Sequence, residues 1–469
     1  MISEPHTHSA DEEPTVPAAG YRRALLGASI GTSLEWFDFF LYGALAGIVF
    51  PHVFFPESSP SAALLQSFAT FGVGFLARPV GAAAFSRLAD RVGRKHTMVV
   101  TLIMMGTASL GIACLPGYAV IGVAAPTLLV LLRFLQGFSV GGEASAGQIM
   151  AMEFAPSNRR GLYGALVNIG NPVGQVLVGS MMLLVGVTIG EHALNEWAWR
   201  LPFVAGAAMA IVGYWIRRQL NESPAFIEAK RIGAETASPL RTVLARDWRR
   251  VVTLVLIWAP NTACSYVIVT YSLSYITDQL NMSSTVTFGL LLVLNVIGMA
   301  VLPLGGILSD RFGRKPVLGV CLTTSMIGVI LLFPLLDTKS LPLMFLAMLI
   351  AQGAQLTACG VMPALFAEPF PTSIRYAGHA SVYTLNNLLA GGTAPFVAAG
   401  LFTLTGANWA LVILVVAMYV LSLILLRFIP ETRWRPFRSN HSVDGKVARK
   451  AKGEVVRDAD AQSLIPEQM

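Results

Sequence analysis

The sequence predicts an all-α integral membrane protein: twelve transmembrane helices in two parallel six-helix halves. Three observations lead there. Hydrophobic residues make up 54% of the chain and charged ones 13%, about half the roughly 25% of soluble domains, and the mean hydropathy is +0.63. Apolar runs of 20 or more residues recur from end to end, and a bilayer core takes about 20 helical residues to cross. Landmarks in the first half return in the same order in the second.

The elements follow in chain order. Residues 1–21 read as a disordered cytoplasmic leader, because 2–19 are polar and acidic with no Lys or Arg before Arg22, unlike a signal peptide. Six spans are expected near 22–50, 62–85, 98–116, 127–150, 161–188 and 200–218, forming a bundle over 22–220. A cytoplasmic linker, 221–249, leads to a second bundle over 250–430, with spans near 250–277, 284–308, 316–336, 341–367, 376–404 and 407–430. Residues 431–469 form a charged tail without sustained heptads.

Charge orients the spans. One set of loops carries Arg87, Arg91, Arg94 and Lys95, then Arg159 and Arg160, then Arg311, Arg314 and Lys315, and Arg375, as well as the basic linker. The opposite set holds Lys339, with Arg200 at a helix mouth. By the positive-inside rule the basic loops and both termini are cytoplasmic. The net charge of +7 thus reflects topology, not nucleic-acid binding. Cys114, Cys264, Cys321 and Cys359 lie scattered in apolar stretches without CxxC spacing or clustered His, so neither a disulfide nor a metal site is expected.

The internal repeat is specific. "SRLADRVGRK" (86–95) returns as "GILSDRFGRK" (306–315), "EFAPSNRRG" (153–161) as "EPFPTSIRYAG" (368–378), and "RQLNES" (218–223) as "RFIPET" (427–432). Two parallel repeats place a binding site between the halves near the midplane. With Asp90-Arg91, Gly93-Arg94, Asp310-Arg311 and Gly313-Arg314 at cytoplasmic junctions, the first pair of motifs reads as an ion-pair latch, since acidic residues contribute little to orientation. Gly93 and Gly313 suit the sharp turns. Glu153, Arg160, Glu368 and Arg375 in the second pair read as packing residues.

These signatures resemble the major facilitator superfamily. "LEWFDFFLYG", "FLARPVG", "RFLQGFSVGGE", "WAWRLPF" and "LNESPAF" are similar to its metabolite:proton symporter family, over residues 22 to 432. Ser86 departs from the usual glycine of the first loop signature. The resemblance implies the major facilitator fold in a bacterial-type inner membrane, acting as a monomer. It also implies import of a small metabolite with protons and no other cofactor.

Intramembrane charge carries the mechanism. Glu35, Asp38, Arg78, Arg133 and Glu143 lie clear of the helix ends, all in the first half. Lone charges at that depth cost about 2.5–3.5 kcal/mol even on insertion scales and usually face a partner or a cavity. At 1.5 Å per residue, Asp38 lies roughly 24 Å and Glu35 roughly 20 Å from the cytoplasmic side. Arg133 is at a level comparable to Asp38, and Arg78 sits about 12 Å from the inner face. Asp38 and Arg133 are therefore the expected proton-coupling pair. Sugar porters of the resembled superfamily pair a first-helix Asp with a fourth-helix Arg, and their Arg-to-Glu spacing of twenty matches Arg133 and Glu153.

A carboxylate beside Arg stays ionised, whereas in dry surroundings away from it the carboxylate takes up a proton. Protonating Asp38 would leave Arg133, together with Arg78, to clamp a carboxylate substrate in a bidentate fork. Glu35 shares a face with Asp38, and its role stays open between proton relay and interhelical bonding. Glu143, after glycines that allow close packing, reads as structural. Tyr42, Asn168, Gln175, Asn261, Tyr271 and Asn386 are the neutral candidates for substrate contact, with interhelical glue the competing reading for Asn168 and Gln175.

No HExxH, GxSxG or metal cluster points to an enzyme. A non-transporting sensor would use the same fold, but no output domain is present. The excess of cationic residues suits a carboxylate, and "LPGYAVIGVAAP" and "NEWAWRLPF" resemble the tricarboxylate and 2-oxoglutarate carriers, a resemblance that implies a di- or tricarboxylate such as citrate or 2-oxoglutarate. A proline or betaine zwitterion is the alternative.

Overall fold

The computed structural model describes residues 18–92, 94–141, 144–153, 155–156, 158–218, 243, 245–371 and 374–433. Within these, side chains including those of Asp90, Arg91, Arg94 and Glu153 lie outside the described set. Gly93, Glu143, and most of the leader, linker and tail also fall outside the described residues.

Among the described residues there are twelve helical spans. They are α1 (Ala18–Ile48), α2 (Pro60–Val92), α3 (Arg94–Cys114), α4 (Ala124–Val140), α5 (Arg160–Thr188), α6 (Arg200–Arg218), α7 (Trp248–Gln279), α8 (Ser284–Phe312), α9 (Arg314–Leu336), α10 (Leu341–Ala367), α11 (Arg375–Thr405) and α12 (Trp409–Phe428). Eight of them are long and apolar enough to cross a membrane by themselves. Of the rest, α3, α4 and α6 contain shorter apolar helices, and α1 carries the two carboxylates in its middle. Beyond α4 the chain is helical again over Ala144–Glu153.

The fold forms two compact units, one of Met1–Phe154, Leu166–Ile227 and Leu273–Met299, the other of Ala155–Ala165, Glu228–Ser272 and Ala300–Met469. In the first, α1 packs on α5, α2 on α4, and α3 on α6. The α2–α4 crossing brings backbones into contact: a side chain at Gly81 would strike the Phe138 carbonyl, and one at Gly137 the Gly74 carbonyl. Small residues permit such approach. Just before α6, Trp199 is fully buried, with its ring edge-on to Phe50, Phe54 and Phe203.

In the second unit α7 packs on α11 and α12, and α9 on α10 and α12. The glycine crossing recurs there, Gly305 facing the Thr357 carbonyl and Gly360 that of Leu302. The duplicated sequence thus builds duplicated contacts within each unit. Spans α7, α10 and α11 do not run as uninterrupted α-helix. π-Turns occupy Val267–Tyr271 and Tyr275–Gln279 in α7, Leu349–Gly353 in α10 and Asn387–Gly391 in α11. The last falls in the "NNLLAGGTAP" stretch, whose glycines and proline interrupt a regular helix.

Candidate functional site

In the first unit the charged residues of α1, α2 and α4 meet among aromatic rings. Asp38, Arg78 and Arg133 are 3%, 3% and 0% exposed, so none is solvated. The Ser109 hydroxyl of α3 donates to Asp38 Oδ1. Gln136 Nε2 donates to Ser109 Oγ at 2.9 Å, and Arg133 Nη1 donates to Gln136 Oε1 at 3.1 Å. The donors all point one way, from the guanidinium through two neutral side chains to the carboxylate. Such chains polarise one another in a low-dielectric interior.

Arg133 also lies over the rings of Phe39 and Tyr42, both at 4.2 Å, and Phe71 at 5.2 Å. Gly74 makes room for it, since a side chain there would strike the guanidinium. Tyr42 is itself buried, its hydroxyl 2.7 Å from Thr70 Oγ1.

Glu35 has a cation of its own. Its carboxylate lies 3.2 Å from Arg78 Nη2, and Arg78 lies over Phe39 at 4.0 Å and Phe75 at 4.9 Å. Both guanidinium groups therefore share the Phe39 ring. Desolvated cation–π contacts are worth about 2 kcal/mol each, which helps to keep two buried cations tolerable. Pro79, the next residue, leaves the Phe75 carbonyl without its helical donor beside the site.

The pairing of Glu35 with Arg78 was not legible from depth alone. Counting residues gives the height of each Cα but neither its azimuth nor the reach of two long side chains. Ser109 and Gln136 were also missed. Gln136 could have been found, because it stands three residues from Arg133 and so shares its helix face.

The neutral candidates are placed as follows. Asn168 accepts from Gln148 at 3.4 Å, and Gln175 donates to Asn171 at 2.9 Å. In the second unit Asn261 donates to Cys359 Sγ at 3.9 Å. Asn386 accepts from Thr262 and donates to the Val255 carbonyl at 3.1 Å, and Tyr271 donates to Asn408 at 2.8 Å. Each therefore ties neighbouring parts of the interior together.

The second unit also assembles the repeated loop motif. Asp310 Oδ1 accepts from the Gly161 amide at 2.9 Å, and Oδ2 from the Leu162 amide at 2.9 Å, at the start of α5. A carboxylate there satisfies orphan helical donors and complements the helix dipole. Arg314 Nη1 donates to Asp310 at 2.7 Å, while its Nη2 and Nε grip Glu368 at 2.9 and 3.3 Å. Arg160 and Arg375 are buried, Arg160 within the electrostatic reach of Glu368 and Asp310.

Gly313, at φ +105°, makes the left-handed turn into α9 that favours glycine. Against that turn lies Glu431, accepting from the amides of Arg314 and Lys315 at 2.9 and 3.0 Å. Partial burial raises the Glu431 carboxyl, but bonds from the amides of Lys315, Arg314, Arg433 and Thr432 outweigh it and hold the group below the usual range. Thr432 donates to Glu368, and Arg433 to the Arg311 carbonyl. The repeat predicted a latch of Asp310 and Arg314, but the bracing by Glu431 came unannounced.

The fold has known counterparts. The family model of the Major Facilitator Superfamily matches residues 28–302 and 262–459. The chain belongs to the major facilitator superfamily. An inner membrane metabolite transport protein of Escherichia coli, YhjE, is 37% identical over 431 residues, 90% of this chain and 97% of that protein. The shikimate transporter of Escherichia coli is 33% identical over 85% of this chain and 92% of its own length. A glycine betaine/proline/ectoine/pipecolic acid transporter of Dickeya dadantii, OusA, is 32% identical over 91% and 87%. Among solved structures, the Escherichia coli xylose transporter XylE in a partially occluded inward-open conformation has a TM-score of 0.73 at 18% identity, covering 89% of this chain and all of that one. As a member of this superfamily the chain is a membrane-embedded secondary transporter of metabolites, and not an enzyme.

Proposed function

We propose that this protein imports a small organic acid, a di- or tricarboxylate, across the inner membrane by proton symport. The observation that carries the reading is the buried chain from Arg133 through Gln136 and Ser109 to Asp38. A proton on Asp38 removes the negative charge at one end of that chain, and the guanidinium at the other end then attracts a substrate carboxylate more strongly. Opening toward the cytoplasm hydrates Asp38, so that proton and substrate leave together. Coupling requires such a difference between two states. Two buried arginines within contact of one ring favour an anion over a zwitterion.

The test is uptake into proteoliposomes under an imposed pH gradient, with 2-oxoglutarate, citrate, shikimate, betaine and proline as substrates. Accumulation of one or more of the acids is expected, and uptake of betaine alone overturns the anion assignment. Asp38→Asn should retain counterflow and lose proton-driven accumulation. Full accumulation by that variant removes Asp38 from the mechanism.

A further inference from the structure

The Glu35–Arg78 pair differs in build from the ion pair at the repeated loop motif. Arg314 holds Glu368 through two nitrogens. Arg78 meets Glu35 through one, at 3.2 Å, and its Nε has no hydrogen-bond partner among the described residues. Arg78 is carried instead by the Phe39 and Phe75 rings, so its charge keeps a favourable setting when the carboxylate beside it is neutral.

Glu35 also borders a cavity of about 10 Å³ shared with Gly31, Thr101, Met105 and Ser139. One water needs roughly 10–15 Å³ by this measure, and polar partners to bond. Two hydroxyls and a carboxylate supply them.

We propose that Glu35 is a second proton-carrying carboxylate, exchanging its proton through a single water held by Thr101 and Ser139. A hydronium proton passes to the Glu35 carboxylate and leaves water behind; release runs in reverse, and Arg78 remains charged throughout. The transporter then carries two proton sites one helical turn apart, each with its own arginine. The charged groups around Glu35 are Arg78 of α2, Asp38 of α1 and Arg133 of α4. Helix α3 turns Thr101 and Met105 toward the cavity, Gly170 and Gly174 of α5 pack on α1, and α6 meets α1 at Gly206 and Gly213, beside which Tyr214 is a titratable side chain among the described residues. The side chains of Glu143 and Glu153 lie outside the described residues.

This inference deepens the proton-coupled reading, but its test needs no substrate. Infrared difference spectra of the purified protein in vesicles, titrated with acid, report protonated carboxyls, and carbon-13 labelling of glutamate separates Glu bands from Asp bands. Asp38→Asn should remove an Asp band and leave a buried Glu band. Glu35→Gln should remove that Glu band. Should this variant not fold, Glu35→Asp should move the band from the glutamate set to the aspartate set. A buried Glu band that persists in both Glu35 variants overturns the proposal, as does the absence of any such band in the unaltered protein. An uptake panel in which none of the five compounds accumulates would overturn the proposed substrate class and leave this titration standing.

Discussion

The interior of the first unit is built around charge, and that of the second, away from the buried cluster of Arg160, Asp310, Arg314, Glu368 and Arg375, around neutral polar groups. Asp38, Glu35, Arg78 and Arg133 are buried in the first, cushioned by Phe39, Tyr42, Phe71 and Phe75. The second buries Asn261, Thr262, Asn386 and Tyr271, bonded to residues of other segments. Its helices differ too. In the spans α1–α6 the described residues show no π-turn, the one at Leu194–Ala198 preceding α6, whereas α7, α10 and α11 are all interrupted. π-Turns inside helices concentrate at functional sites. A buried ion pair demands fixed geometry, because misplacing either charge leaves the other desolvated. Neutral bonds tolerate rearrangement more cheaply, which suits helices that bend. The difference teaches that duplicated halves can diverge in build, one burying ion-paired carboxylates and arginines, the other interrupting its helices with π-turns.

The sharpest way to break this comparison is Arg78→Leu. Removing the cation strands Glu35, so a loss of about 3–5 kcal/mol is expected, read as a lower melting temperature and folded yield in detergent. Replacing Glu35 by Leu as well should restore much of it. Asn386→Ala tests the neutral side. It deletes bonds to Thr262 and the Val255 carbonyl, and about 1–3 kcal/mol should be lost by the same measurement. Equal costs for the two variants would erase the distinction between the units.

The smallest effect is expected outside the membrane. Because the Glu431 carboxyl is held below its ordinary value of 4.5, its stabilisation is complete above that value and is lost as pH falls through the folded-state value. Glu431→Gln should therefore melt slightly lower than the unaltered protein near neutral pH, with the gap closing in acid. A gap that widens in acid would contradict the capping geometry.

Much of the fold was legible in the sequence because bilayer crossing imposes length and apolarity on every span. The repeated loop motif was legible through repetition: Asp310, Arg314 and Glu368 stand where "SDRFGRK" and "EPFPTSIR" put them. The interior site was only half legible. Residue counting set Asp38 level with Arg133, and the structure joins them through Ser109 and Gln136. The same counting separated Glu35 from Arg78, because it carries no information on which way a side chain points. The π-turns were hardly legible at all, since "VIVTY" and "LIAQG" look like ordinary apolar helix.

The seat of Glu431 against the start of α9 bears on how the protein can be handled. The chain does not end its structural work at Phe428, where the last span stops. Residues Glu431, Thr432 and Arg433 are stitched onto Arg314, Lys315, Glu368 and Arg311. A purification handle, fluorescent reporter or truncation joined directly after α12 would unpick the repeated loop motif and be mistaken for a transport defect. Fusions should begin beyond Arg433.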